Sequence, residues 1–269
     1  MTDAPEFHWR SVSQFGTYAR CSEAFRIEKV EKVKGRPAAW IAGGIGFHEA
    51  VDQWETSGRT IDIVNAFEVA YWQEIGRLKE QEPDISRWLR PPRWKPETDI
   101  DGRYAKGKEQ VAAYRAHALE APWRLAELPD GSPATEVPFE FRLSETLGLR
   151  GSIDAILRWS DGSMRVRDYK TGSKLPGLLQ LGVYKLAALA ALGFDINHGD
   201  YWMSKKGDIN GPHDLSRYTL GYVSELMHRL DRGITAGVFL PNVGDACGTC
   251  SVADYCSEVG SFFSPQDLS

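Results

Sequence analysis

Three residues in one short stretch of the chain have the types and spacing that phosphate chemistry requires. Gly151-Ser152-Ile153-Asp154 is followed, beyond an Asp161-Gly162 turn signal, by Val166-Arg167-Asp168-Tyr169-Lys170-Thr171-Gly172. Side chains two apart on a strand share a face, so Asp168 and Lys170 project together and Tyr169 points away. A hairpin at Asp161-Gly162 puts Asp154 about seven residues before the turn and Asp168 about seven after it, which predicts near cross-strand neighbours. Paired carboxylates repel unless a hard cation such as Mg2+ or Mn2+ compensates them. A lysine beside them is placed to orient or deprotonate a water, or to stabilise charge developing on phosphate. Phosphodiester hydrolysis is the reaction this set suits. Alone, an Asp-x-Lys pair is far more often a surface ion pair of little energetic worth.

The elements that must position these groups change character along the chain. Residues 11–31 carry helical periodicity in Phe15, Tyr18, Ala19 and Phe25, with Ser11 or Ser13 as the cap. Ala42-Gly43-Gly44 reads as a turn into a helix over 45–55 that carries His48. A third helix spans 61–80 and stops before Pro83. Residues 91–107 hold three prolines and read as a loop or lid, and 108–119 is helical again. Alternation then takes over in 135–143, 149–159 and 163–168, predicting an antiparallel meander. A helix over 176–192, a strand over 198–204, a helix over 214–232 and a loop-like tail from Pro241 follow. The sum is an α/β fold in one domain over 1–269, with residues 56–130 as a helical insertion.

Four cysteines stand apart from this pattern. Cys21 is early, and Cys247-x2-Cys250-x5-Cys256 lies in a C-terminal segment, 241–260. Four thiolates hold either a tetrahedral zinc or an iron–sulfur cluster, and the Cys-x2-Cys spacing by itself favours zinc.

The order of these motifs resembles the PD-(D/E)XK nuclease superfamily, in particular its RecB-like exonucleases. There a G-x-x-D strand precedes a D-Y-K-T-G strand and then a helix bearing Q-x-x-x-Y. The matching helix here holds Gln180-Leu181-Gly182-Val183-Tyr184, and the i, i+4 spacing puts Gln180 and Tyr184 on one face. Gly44-Ile45-Gly46-Phe47-His48 matches the family's G-x-x-x-H helix, and Glu136 its strand-borne glutamate. The resemblance implies a restriction-endonuclease-like mixed central sheet flanked by helices. It implies that His48, Asp154, Asp168 and the carbonyl of Tyr169 hold Mg2+ or Mn2+. Lys170 then acts in catalysis, Gln180 and Tyr184 border the site, and Glu136 either orients the site or binds the metal.

The one-plus-three cysteine distribution is similar to the iron–sulfur members of that group, the CRISPR-associated adaptation exonucleases and AddB-type helicase–nucleases. Tyr18-Ala19-Arg20-Cys21-Ser22-Glu23-Ala24-Phe25 matches their Y-x-x-C-P-x-x-F segment, with Ser22 in place of proline. The implied cofactor is a [4Fe–4S] cluster on Cys21, Cys247, Cys250 and Cys256, joining the two ends of the domain, with zinc as the other occupant. The implied activity is DNA exonuclease action on ends or single strands in repair, recombination or CRISPR and phage DNA processing. The alternative is a non-catalytic DNA-binding accessory protein with a zinc-stapled fold of the same kind.

Composition bounds these readings without choosing among them. In 269 residues, 42% hydrophobic and 26% charged is the balance of an ordinary globular protein. No apolar run is long enough to span a bilayer and no secretory signal pattern opens the chain, so a cytoplasmic protein is expected. A net charge of −5 argues against a protein that coats long nucleic acid. Residues 86–108 nevertheless carry seven Lys/Arg against three Asp/Glu, and Trp88 and Trp94 there are candidates for stacking on single-stranded bases. The chain has no G-x-x-x-x-G-K-[ST] motif, so unwinding calls for a helicase partner.

Overall fold

A computed structural model describes residues 7–173 and 177–260. Among the described residues, seven strands and seven α-helices are arranged as a mixed sheet with helices on both faces. The strands are β1 (His8–Arg10), β2 (Trp123–Leu125), β3 (Thr135–Arg142), β4 (Leu147–Trp159), β5 (Met164–Lys170), β6 (His198–Met203) and β7 (Asp208–Asp214). The helices are α1 (Val12–Arg20), α2 (Ser22–Phe25), α3 (Ala39–Thr56), α4 (Ile63–Gln81), α5 (Pro96–Glu120), α6 (Leu179–Leu192) and α7 (Leu220–Thr235). None of the described helices is long and apolar enough to cross a membrane.

β4 is the spine of the sheet. Antiparallel β3 and β2 line one of its edges, while β1, parallel to it, and antiparallel β5 share the other. β1 takes up Leu147–Leu149 of β4, and β5 joins only from Ala155 onward. Asp154 sits at the point where β5 departs, one step beyond the Ala155–Arg167 pair, so Asp154 and Asp168 are register neighbours as the hairpin spacing predicts. β6 runs parallel to β5 after the α6 crossover, and β7 closes the sheet.

The two faces have separate cores. α6 and α7 cover one, packing Leu181, Val183, Val223 and Met227 on Ile153, Ile156 and Val166. α3, α4 and α5 cover the other, with Phe47, Trp54, Phe67 and Tyr114 against Leu157, Tyr169 and Trp202.

Several elements differ from the sequence expectation, each for a physical reason. The Ala42-Gly43-Gly44 turn does not form, and α3 runs unbroken through all three residues and Gly46. Gly46 is there for contact, since a Cβ would sit 3.1 Å from the Phe67 ring of α4. The expected loop over 91–107 is mostly helix, because Pro96 at the first turn starts α5 instead of ending an element. Gly107, inside α5, admits Phe67 so closely that a Cβ would lie 1.9 Å from its Cζ. The expected helix over 11–31 is broken at Cys21, whose φ of −163° is extended; α1 is capped by Ser11, and α2 with a π-helical turn over Arg26–Val30 follows. α7 starts at Leu220, capped by Thr219, while Asp214 closes β7. Pro176, the expected start of α6, lies outside the described residues.

Candidate metal centre

The site is assembled where β4 and β5 separate, between α3 and α6. Asp154 and Asp168 are buried there, at 6% and 0% exposure. Each oxygen of Asp154 accepts one hydrogen bond: Oδ2 from the Tyr169 backbone N–H at 2.8 Å, Oδ1 from the Tyr184 hydroxyl at 2.7 Å. The Tyr184 hydroxyl also lies 3.4 Å from Asp168 Oδ1, so α6 ties the two carboxylates together. Lys170 Nζ donates to Asp168 Oδ1 at 3.0 Å and to Gln180 Oε1 at 3.0 Å, and lies 2.7 Å from Asp168 Oδ2. Gln180 Nε2 in turn donates to Tyr184 Oη at 2.9 Å. The five residues Asp154, Asp168, Lys170, Gln180 and Tyr184 therefore form one connected network.

α3 brings His48 to the same point from the other face. Its Nδ1 is 3.0 Å from Glu136 Oε1 and 3.7 Å from Asp154 Oδ2, and its Nε2 is 3.2 Å from the Tyr169 carbonyl. One ligand atom each from His48, Glu136 and Asp154 lies within 4.8 Å of the others, the spacing of a cation's coordination shell. Glu136, which the sequence leaves between orienting the site and binding metal, is thus in this group, while Asp168 adjoins it through Asp154 and Tyr184. Glu136 also adopts a left-handed φ of +44°, a conformation costing a non-glycine residue about 1–3 kcal/mol.

A profile of the PD-(D/E)XK nuclease superfamily matches residues 10–257. The chain belongs to the PD-(D/E)XK nuclease superfamily. Two proteins called Gene 69 protein are similar to it over nearly their whole lengths. That of Mycobacterium phage D29 is 37% identical over 259 residues, covering 92% of this chain and 96% of its own. That of Mycobacterium phage L5 is 34% identical over 280 residues, covering 92% of this chain and 95% of its own. The crystal structure of SSO0001 aligns over 96% of this chain and 90% of its own, at 14% identity and a TM-score of 0.43.

Within this PD-(D/E)XK domain the electrostatics report a shortage of positive charge. Burial and the neighbouring Asp154 push the Asp168 carboxyl up to about 7, against the opposing pull of Lys170. Burial likewise raises Asp154. Burial disfavours the charged form of His48, yet the Glu136 hydrogen bond and the Asp154, Glu136 and Asp168 charges prevail and raise it to about 9. Both ring nitrogens of His48 face acceptors, as an imidazolium requires. Two buried carboxylates that hold on to protons when no cation is present, set beside Glu136 and His48, make a donor set that fits a divalent metal.

Behind the site, the Tyr169 hydroxyl meets that of Tyr114 at 3.0 Å. Tyr114 donates to Glu55 at 3.0 Å, which Arg59 also holds. This buried chain fixes β5 to α3 and α5.

Three of the four cysteines meet where the N-terminal helices and the C-terminal tail pack together, and Cys247 is not among them. Cys21, Cys250 and Cys256 pack around Ala24, Ile27 and Val252. Backbone N–H groups of Asn242 and Gly244 point at the Cys21 and Cys247 sulfurs at 3.4 and 3.5 Å. The tail is laced to the N-terminal helices through Ser22–Leu240, Asn242–Arg20 and Ser251–Glu28 hydrogen bonds.

The two tryptophans singled out in the basic segment part company. Trp88 is 4% exposed and its indole N–H donates to Glu82, so it is core and offers no stacking face. Trp94 is 45% exposed. Trp40, which the sequence reading passed over, lines the cleft that opens onto His48 and Glu136.

Proposed function

We propose that the protein is a Mg2+- or Mn2+-dependent deoxyribonuclease acting as an exonuclease on DNA ends or single strands. The observation that carries this is the joining of Asp154, Asp168, Lys170, Gln180 and Tyr184 in one hydrogen-bonded network beside the His48–Glu136–Asp154 group. His48, Asp154, Asp168, Glu136 and the Tyr169 carbonyl would hold the cation. When bound, the cation supplies Lewis acidity toward the phosphodiester and its attacking water.

The remaining work falls to side chains whose roles follow from their partners. An ammonium has three protons, and Asp168 and Gln180 engage two of those on Lys170. The third is available to a water or a phosphate oxygen, where it offsets the negative charge that grows during attack. Gln180 and Tyr184 lock Lys170 and Asp154 in place. The family resemblance and the local basic segment support DNA as the substrate, and unwinding would come from a helicase partner.

Cys21, Cys247, Cys250 and Cys256 would hold a [4Fe–4S] cluster. Two of these sulfurs accept backbone N–H bonds, the kind of contact that stabilises clustered thiolates. The cluster's contribution is structural, tying the tail to the N-terminal helices.

The test is digestion of end-labelled single- and double-stranded DNA, linear and circular, with Mg2+, Mn2+ or EDTA. Metal-dependent loss of linear DNA from its ends, abolished in Lys170→Ala and Asp168→Ala, is expected. Undiminished activity in either folded variant sinks the assignment, and equal cutting of circles sinks the exonuclease reading. Anaerobically purified protein should be brown; a colourless sample with stoichiometric zinc removes the iron–sulfur assignment.

A further inference from the structure

α3 carries two unlike surfaces along one cleft. The cleft, about 630 Å³, is lined by Trp40, Ile41, Gly44 and Ile45 at one end and by His48, Glu49, Asp52 and Glu136 at the other. Trp40, Gly44 and His48 stand at i, i+4 and i+8, so they lie in one row, with Trp40 about 12 Å along the axis from the metal-ligating histidine. Gly44 keeps the floor between them open, since a Cβ there would approach nothing nearer than Thr171 Oγ1 at 3.5 Å. Ile45 remains 45% exposed beside that floor. The acidic end suits a phosphate that arrives with a cation, and the apolar end suits a ring.

Among the described residues, Trp40 has one basic neighbour, Arg103 of α5, which is itself paired with Asp99 at 3.1 Å. Arg103 lies over the Trp40 ring at 5.8 Å from the centroid. The adjacent Gly102 is packed by the Trp94 ring, where a Cβ would sit 3.2 Å away. Arg93, Trp94 and Lys95 are exposed in the turn that leads into α5. Leu89 bridges to Ala38 immediately before α3, so the basic segment abuts the start of that helix.

We infer that Trp40 is a stacking platform for an unpaired base of single-stranded DNA, close to the phosphate held at the metal centre, with Arg103 and the Arg93–Lys95 turn attending the backbone beyond it. The inference rests on the nuclease reading and narrows its substrate to a strand whose terminal bases are unstacked. A base on Trp40 gains stacking energy regardless of its identity, so the platform selects single strands without selecting sequence. A duplex end keeps its bases stacked on each other and gains nothing from the ring.

Binding of a fluorescein-labelled oligothymidylate, measured by anisotropy with Ca2+ on the Lys170→Met background, tests this. Trp40→Ala should weaken single-strand binding by about 5- to 150-fold, the range for loss of one stacked base, and Trp40→Phe should restore it to within about threefold. Blunt duplex binding should be equal in all three proteins. An abasic site walked along the strand should weaken binding at one position in the parent and cost nothing further there in Trp40→Ala. A purely structural role for Trp40 would lower affinity without erasing that position-specific loss. If Trp40→Ala does not fold, the abasic walk with Trp40→Leu, which keeps apolar bulk but no aromatic face, reads the same contact, and an undiminished loss in it overturns the platform. Binding by Trp40→Ala within about twofold of the parent, or an abasic loss that persists undiminished in it, overturns the platform. If the wild type fails to cleave yet the Trp40-dependent loss remains, the nuclease reading falls and the platform stands.

Discussion

Replacing Asp200 with alanine would strand a guanidinium in the middle of the sheet. Arg167 and Asp200 are both 0% exposed, and Arg167 donates Nε to Oδ1 at 2.6 Å and Nη2 to Oδ2 at 3.1 Å. The rest of the guanidinium lies over the Trp123 ring, 4.7 Å from its centroid, and Nη1 has no partner among the described residues. Arg165, the other cation near Asp200 at 3.8 Å, is 21% exposed and stacks on Trp159, so it can turn to water. Arg167 cannot. Removing one member of such a buried pair costs about 3–5 kcal/mol, because the remaining charge stays desolvated. Against a typical total of about 5–15 kcal/mol, that is a large fraction. At about 2–4 °C per kcal/mol for a domain of this size, the midpoint should fall by roughly 6–20 °C. Asp200→Asn, which keeps one acceptor, should lose less. The double variant Arg167→Met/Asp200→Leu should recover most of the deficit, since a buried pair and an apolar pair differ little overall. Urea denaturation of the four proteins measures each value. A cost below about 1 kcal/mol for Asp200→Ala would refute the argument by showing that Arg167 reaches water on losing its partner.

Other consequences are equally direct. Glu136→Gln should weaken Mn2+ binding by at least about 10-fold in calorimetry while leaving the fold intact, since it removes one charge from the cation group. Gly107→Ala should destabilise by about 1–3 kcal/mol in urea, because the Phe67 ring has no room to retreat. The Glu23 carboxyl is held below its ordinary 4.5 by the Arg26 hydrogen bond, against the opposing cost of burial. A lowered folded value means its stabilisation is complete above pH 4.5 and lost as pH falls through the folded value. The stability gap between wild type and Glu23→Gln should therefore be full at neutral pH and close in acid. If the proposed iron–sulfur cluster is present, Cys21→Ser should lower the iron content and expose the tail to limited proteolysis, read by metal analysis and gel.

Much of the candidate site's assembly was legible because its residues sit where local pattern is strong. Alternation placed β3, β4 and β5, and the Asp161-Gly162 turn fixed the register that brings Asp154 beside Asp168. The i, i+4 pair Gln180 and Tyr184 needed only a helix, and α6 is one. What escaped depended on tertiary contact. The glycines of α3 and α5 look like turn signals until Phe67 is seen packed against Gly46 and Gly107. β1 and β2 are three residues each, too short for any period to show. β7, with Asn210, Gly211 and Pro212 at the sheet edge, has the composition of a loop and is a strand only because β6 supplies partners. Trp40 carried no motif, and Trp88 resembled a surface residue because its buried neighbours come from other helices.

An unbroken α3 behaves as a graduated rod. Trp40, Gly44, His48 and Glu55 are marks on one rigid axis, and Glu55 pins that axis to β5 through Tyr114 and Tyr169. The offset between cleft mouth and cation site is therefore set by residue count, at about 1.5 Å and 100° per position. One residue inserted between Gly44 and His48 would swing the mouth a quarter-turn away from the carboxylates. Point substitution can alter what each mark holds, but not the interval between them.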